Sequence, residues 1–282
     1  MFLIGGTASL SIAEDLSLQS NIPIAETIIH RFPDGELYVR IKEKIENHEI
    51  IIIQTTYPDK NIIELFLLLD ACKRANAKKI TVIIPYFGYA RQDKQFKPGE
   101  PISAEALATL ICVNADEIIT IDPHKEHIKD FFSIPIKSVS AVPALAGYLK
   151  NKNIDVVLAP DKGAIKRAKD TAKILNCEVD YLEKKRIDGN TITIKPKQLE
   201  VKNKNVAIID DIISTGGTMA AAITELKKQK AAKVYVVCTH GLFAGTAIDK
   251  LKKAQCDEII STETIRSAYS KIKITPVLTS LF

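Results

Sequence analysis

Short runs of β-branched residues alternate with longer helix-like segments along most of the chain. In the first half, apolar runs at 49–54, 79–86 and 117–122 are separated by segments of helical character at 61–77 and 103–115. This alternation is typical of βαβ units, whose strands pair in a mostly parallel sheet with helices on its faces. The pattern therefore predicts an α/β fold in which ligands bind at the carboxyl ends of the strands.

The second half of the chain repeats the first. The segment NADEIITID at 114–122 returns as QCDEIISTE at 255–263, which is 141 residues later, and other segments match in the same order. We interpret the chain as two similar domains, 1–141 and 142–282, that arose by internal duplication. The alternative is that unrelated βαβ units resemble one another through their general pattern alone.

Two differences separate the halves. The second copy has IIDDIISTGGT where the first has IIIQTTYPDKN, which lacks both the adjacent acids and the glycine pair. The first copy contains an extra stretch at 89–103 that is absent from the second. One copy is thus predicted to keep a phosphate-binding loop, and the equivalent loop of the other copy is predicted to have a different function.

The composition indicates a folded protein with a sizeable core. The chain has 282 residues, of which 46% are hydrophobic. The 39 Lys and Arg residues exceed the 34 Asp and Glu by five, but they are scattered rather than clustered with aromatics, so no nucleic-acid partner is predicted. The five cysteines are isolated, and no apolar run is long enough to span a bilayer. We expect a cytoplasmic protein with no membrane partner.

The stretch VAIIDDIISTGGTM at 206–219 carries the most specific chemistry. Val206 to Ile209 is predicted to be a buried strand, and 217–229 a helix. The glycines, the hydroxyls and the helix N-terminus between them suit a monophosphate. Two adjacent carboxylates would repel that phosphate, so they should face vicinal hydroxyls, a divalent metal or both, and a ribose phosphate offers this combination. The alternative is a turn with an Asp helix cap.

Two segments of the first half form a candidate turn and a candidate ligand-binding loop. RFPDGELYVRI at 31–41 is predicted to form a hairpin with Asp34 and Gly35 in its turn. Arg91 and Gln92 lie in a loop after a strand, where ligands bind in such sheets. Arg91 has the geometry to clamp a triphosphate, and Gln92 could contact a base or a phosphate oxygen. A solvated basic loop is the alternative.

His124, Asp161 and the cations at 184–186 allow structural as well as functional interpretations. His124 could cap a helix or, with His127, suggest a zinc pair, and imidazole also suits Mg²⁺ that bridges phosphates. Asp161 could be a helix N-cap. A basic run before an Asp-Gly turn is usually a solvated hairpin. On an extended strand, residues 184 and 186 would share a face and Lys185 would lie on the other.

Together these motifs resemble one enzyme family. VAIIDDIISTGGTM resembles the phosphoribosyl-pyrophosphate loop shared by type I phosphoribosyltransferases and ribose-phosphate diphosphokinases. The order and spacing of six further motifs resemble the diphosphokinases over nearly the whole chain: RFPDGELYVRI, IPYFGYARQDK, GEPISA, DPHKEHIKDFF, APDKGAIKRA and LEKKRIDG. Some of these segments are more similar to archaeal members. The resemblance implies two tandem phosphoribosyltransferase-like (type I) domains, each with a mostly parallel central sheet flanked by helices.

The resemblance also implies a reaction and its residues. The β,γ-diphosphoryl group of ATP would pass to the 1-hydroxyl of ribose 5-phosphate, giving AMP and 5-phosphoribosyl 1-pyrophosphate (PRPP), with Mg²⁺ as cofactor. Catalysis is implied for Lys184 and Arg186, and metal binding for His124 and Asp161. ATP binding is implied for Phe32, Asp34, Gly35, Glu36, Arg91 and Gln92. Ribose 5-phosphate binding is implied for Arg186, Asp210, Asp211, Ser214, Thr215, Gly216, Gly217 and Thr218. A homo-oligomer built from dimers is also implied.

Two other functions compete with this interpretation. A phosphoribosyltransferase that consumes PRPP would share the acidic loop, but it would have one such domain and a hood that recognises the base. A regulatory relative would bind nucleotides without turnover. Retention of Lys184, Arg186 and His124 argues against the second alternative.

Overall fold

The computed structural model describes the backbone of residues 1–186, 192–196 and 200–282, and the side chains of 1–182 and 200–282. Its strands are β1 (Phe2–Gly5), β2 (Thr27–Arg31), β3 (Leu37–Ile41), β4 (Glu49–Ile53), β5 (Lys79–Ile84), β6 (Glu117–Ile121), β7 (Ile136–Val139), β8 (Val156–Ala159), β9 (Glu178–Arg186), β10 (Ile192–Pro196), β11 (Asn205–Ile213), β12 (Lys233–Gly241), β13 (Glu258–Thr262) and β14 (Ser270–Ile272). Its α-helices are α1 (Leu10–Ser20), α2 (Lys60–Arg74), α3 (Ser103–Cys112), α4 (Val142–Leu149), α5 (Ile165–Leu175), α6 (Gly217–Lys228), α7 (Ala247–Lys253) and α8 (Thr275–Thr279). None of these described helices has the length and apolar character needed to cross a membrane.

The chain divides into two compact units. The N-terminal unit comprises Met1–Ser140 together with Thr275–Phe282, and the C-terminal unit comprises Ala141–Ile274. The last residues of the chain, which the sequence comparison grouped with the second half, thus belong to the N-terminal unit. There α8 packs against α1, and the Thr279 hydroxyl donates a hydrogen bond to Gln19 Oε1 at 2.9 Å.

The N-terminal unit is built on a five-stranded parallel sheet in the order β1-β4-β5-β6-β7. Strand β4, with the sequence EIIII, is buried after its first residue, as expected for a central strand covered on both faces. Leu65, Leu68 and Cys72 lie on one stripe of α2 and are fully buried in the core. Strands β2 and β3 form a separate antiparallel hairpin.

The C-terminal unit has a seven-stranded sheet in the order β10-β9-β8-β11-β12-β13-β14. Only the β9–β10 pair is antiparallel among its described strand pairs. Helix α6 contributes Ile223 and Leu226 to the core, where both are fully buried with residues of β11 and β12. The helix predicted over 217–229 is therefore confirmed, and it begins at Gly217.

The two units share one chain topology, as the internal repeat predicted. The order β1-β4-β5-β6-β7 corresponds to β8-β11-β12-β13-β14, and a hairpin lies at the same place in each, β2–β3 in one and β9–β10 in the other. The repeated segments at 117–121 and 258–262 are the equivalent strands β6 and β13. The fold class predicted from the sequence, two α/β domains with mostly parallel sheets, is confirmed.

Candidate active site

Asp210 and Asp211 lie within β11, not after its end. Val206 to Ile209 was predicted to be the whole strand, but parallel pairing with β12 continues to Ile213. The predicted strand end at Ile209 was wrong. Backbone hydrogen bonds between strands do not depend on the polarity of the side chains, and the strand therefore continues through the two acids. Asp211 is buried, and Asp210 is half-buried.

The loop after β11 brings Ser214, Thr215 and two glycines to the start of α6. Gly216 has a φ of 70°, and a Cβ there would lie 3.1 Å from the carbonyl oxygen of Ala247. Glycine is therefore required both by the left-handed backbone and by the close approach of α7. A Cβ on Gly217, in contrast, would meet no atom within 4 Å.

This loop has the features of an anion site. Thr215, Gly217 and Thr218 are exposed at the first turn of α6, where backbone N–H groups have no partner within the helix. Lys250 on α7 donates a hydrogen bond to the Thr215 carbonyl oxygen at 3.4 Å, which adds positive charge beside the loop. Hydroxyl groups, N–H groups and a neighbouring cation together suit a phosphate.

The acid pair is accompanied by Arg167 of α5. Arg167 Nη1 lies 4.0 Å from Asp210 Oδ1 and 3.9 Å from Asp211 Oδ1. The Asp211 N–H donates to Asp210 Oδ1 at 2.9 Å. Burial, followed by the hydrogen bond and charge of Asp211, raises the pKa of Asp210 well above its usual range, and Arg167 opposes this rise. The pair therefore binds a proton more readily than isolated aspartates in water do.

Asp161 caps the chain segment that leads into α5. Its Oδ1 accepts hydrogen bonds from the N–H groups of Gly163 and Ala164 at 2.8 and 3.3 Å, at the start of a 3₁₀ turn over Lys162–Ala164. The N-cap role weighed from the sequence is therefore observed. The Asp161 side chain is nevertheless exposed, and the cap engages only one of its two oxygens.

In the N-terminal unit, the residues from Phe32 to Glu36 form the exposed turn of the β2–β3 hairpin. Gly35 has a φ of 92°, and the Glu36 N–H donates to Asp34 Oδ1 at 2.9 Å. The hairpin alternative is thus observed, and it does not prevent ligand binding by the turn. Phe32 is 44% exposed, so its ring is accessible for stacking. It makes edge contacts with His30 and Tyr38.

Arg91 and Gln92 follow β5, in the stretch that the second half lacks. Arg91 is exposed, as a residue that binds phosphate must be. The Gln92 amide hydrogen-bonds within its own loop: Nε2 donates to the Pro101 carbonyl oxygen at 3.1 Å, and Oε1 accepts from the Ser103 hydroxyl at 2.7 Å. These bonds fix the start of α3. The role of Gln92 in ATP binding stays a prediction.

His124 lies three residues beyond the end of β6 and is half-buried. His127, which the sequence left unassigned, has its Nε2 3.1 Å from Asp93 Oδ2. This contact joins the loop after β5 to the segment after β6. The described residues contain no group of three or more His, Cys, Asp or Glu side chains arranged to hold a metal ion.

Comparison with known proteins supplies the family. Residues 1–114 match the N-terminal domain of ribose phosphate pyrophosphokinase, and residues 139–270 match the phosphoribosyl transferase domain. The ribose-phosphate pyrophosphokinase of Pyrococcus furiosus is 42% identical over 284 residues and covers 100% of both chains. The chain belongs to the ribose-phosphate pyrophosphokinase family. The protein of that name from Methanosarcina acetivorans is 40% identical, with 99% of this chain and 98% of the relative covered.

A solved structure agrees with this family assignment. The crystal structure of phosphoribosylpyrophosphate synthetase from Mycobacterium smegmatis has a TM-score of 0.84 and 29% identity to this chain, and the match covers 99% of this chain and 96% of the other. The chain is therefore an enzyme of the pyrophosphokinase family with that family's two-domain α/β fold.

The two residues that the pyrophosphokinase resemblance makes catalytic lie in β9, whose backbone extends to Arg186 and pairs with β10. The side chains of Lys184 and Arg186 are outside the described residues, as is the predicted Asp-Gly turn at 188–189. Their catalytic role therefore stays a prediction.

Sequence reasoning did not single out Arg167, although it lies inside the family motif APDKGAIKRA. A signal was present, because Arg167 is three residues after Ala164 and four before Thr171, both of which are buried. That helical spacing places a cation on the buried face of α5 and predicts an acidic partner.

Proposed function

We propose that the protein transfers the β,γ-diphosphoryl group of ATP to the 1-hydroxyl of ribose 5-phosphate, giving PRPP and AMP for nucleotide biosynthesis. The proposal rests mainly on one observation: the acid pair within β11 is followed by an open loop that contains glycines and hydroxyl side chains. Ribose 5-phosphate presents hydroxyls and a phosphate that match those two parts.

Asp210 and Asp211 bind the ribose, accepting hydrogen bonds from its vicinal hydroxyls. The N–H groups of the first turn of α6 and the hydroxyls of Ser214, Thr215 and Thr218 hold the 5-phosphate. With both ends of the sugar held, its 1-hydroxyl is oriented for in-line attack on the β-phosphorus. Such positioning is the main contribution that a protein makes to phosphoryl-type transfer.

Residues of the N-terminal unit bind ATP. The exposed Phe32 ring offers a stacking surface for adenine, and Asp34 or Glu36 accepts a hydrogen bond from its amino group. Arg91 binds the triphosphate through its guanidinium. Gln92 positions the start of α3 through its amide and supports the loop that carries Arg91.

We propose Mg²⁺ as the metal cofactor, and His124 and Asp161 are each candidate metal ligands. Asp161 suits the ion, because Mg²⁺ usually takes one or two carboxylates and completes its shell with substrate phosphates and water. Asp161 meets this requirement, since it is exposed and its helix cap engages only Oδ1. When bound, the ion would supply positive charge that offsets the negative charge of the phosphates.

The transferring diphosphoryl group and the AMP leaving group carry negative charge in the transition state. Lys184 and Arg186 neutralise that charge, and Arg186 also contacts ribose 5-phosphate. Cations that act on developing charge lower the barrier by several kcal/mol in comparable reactions. The assembly is a homo-oligomer built from dimers, which light scattering of the purified protein would test.

The decisive experiment is an incubation with Mg²⁺, ATP and ribose 5-phosphate, with the nucleotide product identified by chromatography. We expect AMP and PRPP in equal amounts. ADP as the product would indicate simple phosphoryl transfer and would refute the proposal. Base-dependent release of pyrophosphate from PRPP without ATP would support a phosphoribosyltransferase, and nucleotide binding without turnover would support a regulatory protein.

Replacement of Lys184 by Ala tests the catalytic assignment. We expect turnover to be abolished while the affinity for ribose 5-phosphate, measured by calorimetry, stays within about twofold, because the lysine acts on charge that develops only in the transition state. Lys185→Ala is the matched control, since the strand pattern predicts that Lys185 lies on the other face. Unchanged turnover in Lys184→Ala would contradict the assignment.

A further inference from the structure

The loop after β4, at 54–59, is the counterpart of the phosphate loop after β11, but its hydroxyl side chains are buried. Thr55 and Thr56 are 2% and 1% exposed, whereas Thr215 and Thr218 of the C-terminal loop are exposed. A buried hydroxyl group nearly always has a hydrogen-bond partner inside the protein. The partners of Thr56 therefore indicate what this loop does in the N-terminal unit.

Thr56 is bonded to the segment after β5, at 85–92. The Thr56 N–H and hydroxyl both donate to the Tyr86 carbonyl oxygen, at 3.1 and 3.2 Å. The Thr56 hydroxyl oxygen also accepts the Gly88 N–H at 2.7 Å. One residue later, the Tyr89 hydroxyl donates to Asp59 Oδ1 at 2.9 Å. These hydrogen bonds join the loop after β4 to the segment after β5.

The backbones of the loop and the segment also approach closely. A Cβ on Gly88 would lie 2.7 Å from the Thr56 carbonyl oxygen, so this contact requires glycine. The loop after β4 is itself fixed from its other side, because the Thr55 N–H donates to the buried Ser9 hydroxyl at 3.0 Å. The loop therefore offers the segment after β5 a firm support.

The supported segment leads directly to Arg91. The Gln92 N–H donates to the Tyr89 carbonyl oxygen at 2.9 Å, so the chain turns between the support and Arg91. Arg91 is exposed and lies three residues after Gly88. A guanidinium binds phosphate oxygens bidentately only when its planar fork is correctly placed. The bonds at Tyr86 and Gly88 fix the start of this turn and thereby the position of Arg91.

We propose that Thr56 is a positioning residue for ATP: it holds the segment after β5 so that Arg91 is presented to the triphosphate. The loop that lacks the acids and the glycine pair thus supports the nucleotide-binding segment. The inference rests on the proposed function, because it assumes that Arg91 binds the triphosphate. Thr56 is buried and acts only through the segment that it holds.

The test compares Thr56→Val, which removes the hydroxyl at nearly constant side-chain size, with Thr56→Ser, which keeps the hydroxyl. Thr120→Val is the matched control, because the buried Thr120 hydroxyl also donates to a backbone carbonyl oxygen of the same unit, that of Ile84 at 3.0 Å. For each variant, kcat and KM for both substrates are measured. Calorimetric titration of ATP without ribose 5-phosphate reports binding without turnover, and urea unfolding reports stability.

In Thr56→Val the Gly88 N–H loses its acceptor, and the segment that leads to Arg91 is displaced. We expect the Kd and KM for ATP to rise about tenfold while KM for ribose 5-phosphate changes less than about twofold, because a small displacement of a positioned group weakens its contacts strongly. Thr56→Ser should return the Kd for ATP to within about threefold of the wild type, since it keeps the hydroxyl. Thr120→Val should lower stability and leave the Kd for ATP unchanged.

An unchanged Kd for ATP in Thr56→Val, or an equal rise in Thr120→Val, would overturn the inference. The calorimetric result does not depend on turnover, so it is separate from the proposed function, which fails if the wild type yields no AMP. If Thr56→Val does not fold, Tyr89→Phe takes its place, because it removes only the exposed hydrogen bond to Asp59. A rise in the Kd for ATP at unchanged stability would then support the inference, and an unchanged Kd would overturn it.

Discussion

Glu64 of α2 is the centre of a buried polar cluster in the N-terminal unit, and its replacement by Ala gives the most direct test of how that unit is stabilised. The carboxylate accepts hydrogen bonds from the Thr7 N–H at 2.5 Å, the Thr7 hydroxyl at 2.6 Å and the Gln54 amide at 2.9 Å. Gln54 is fully buried, and Glu64 is 3% exposed. Glu64 thereby joins α2 to the turn after β1 and to the end of β4.

The magnitude follows from the groups that Glu64→Ala would leave unpaired. The buried Gln54 amide would lose an acceptor, and a buried donor without a partner costs about 1–3 kcal/mol. The Thr7 N–H and hydroxyl would lose less, because Thr7 is exposed and water can replace part of these bonds. We therefore expect the free energy of unfolding of the N-terminal unit to fall by about 1–4 kcal/mol, and its Tm by on the order of 10 °C.

Urea unfolding followed by circular dichroism measures the loss, and hydrogen–deuterium exchange locates it. Exchange should rise in peptides from β1, α1, β4 and α2, while peptides of the C-terminal unit stay unchanged. Glu105→Ala is the matched control, because Glu105 is an exposed carboxylate on α3 of the same unit. A loss below about 1 kcal/mol, or an equal loss in the control, would refute the reasoning.

Two further predictions concern the C-terminal unit. Gly216→Ala should destabilise this unit by about 1–3 kcal/mol in urea unfolding, because the left-handed φ and the carbonyl oxygen of Ala247 both oppose a Cβ. Gly217→Ala should leave the stability unchanged and raise KM for ribose 5-phosphate. Equal stability of the two variants would contradict this prediction. Burial acts to raise the pKa of Glu258, but hydrogen bonds from Lys152, Lys271 and Tyr148 outweigh it and lower the pKa to about 2. The stabilising contribution of Glu258 is therefore present above pH 4.5 and lost as the pH falls toward 2. The difference in free energy of unfolding between wild type and Glu258→Gln should shrink over that range. A pH-independent difference would contradict this prediction.

The order of strands and helices could be predicted from the sequence because it depends on local patterns. The Ile-rich runs and the helical spacing of α6 are visible without any tertiary information, and the internal repeat supplied the two-domain arrangement. The extent of β11 was harder to predict. Its last residues are part of the strand because they pair with β12. The polar side chains of Asp210 and Asp211 give no indication of this pairing.

The polar contacts across long sequence separations were missed for a related reason. Thr7 and Glu64 are 57 residues apart, and neither residue belongs to a recognisable motif. Arg167 was easier to predict, because its spacing from buried residues places it on the buried face of a helix. Its acidic partners could be identified only from the packing of α5 against β11. Motif reasoning identifies candidate ligand-binding residues better than it identifies the residues that hold them in place.

The equivalent turns of the two units give a physical reason why a phosphate site is proposed in the C-terminal unit. The turns after β1 and β8 are topological equivalents, and so are those after β4 and β11. In the N-terminal copy, the Glu64 carboxylate binds the Thr7 N–H, an N–H group that an anionic ligand would otherwise use. In the C-terminal copy, Asp161 likewise binds the N–H groups of Gly163 and Ala164 in the turn after β8, so this turn does not distinguish the copies. The copies differ at the second turn: Thr55 and Thr56 after β4 are buried, whereas Thr215, Gly217 and Thr218 after β11 are exposed, which leaves their polar groups accessible to an external anion.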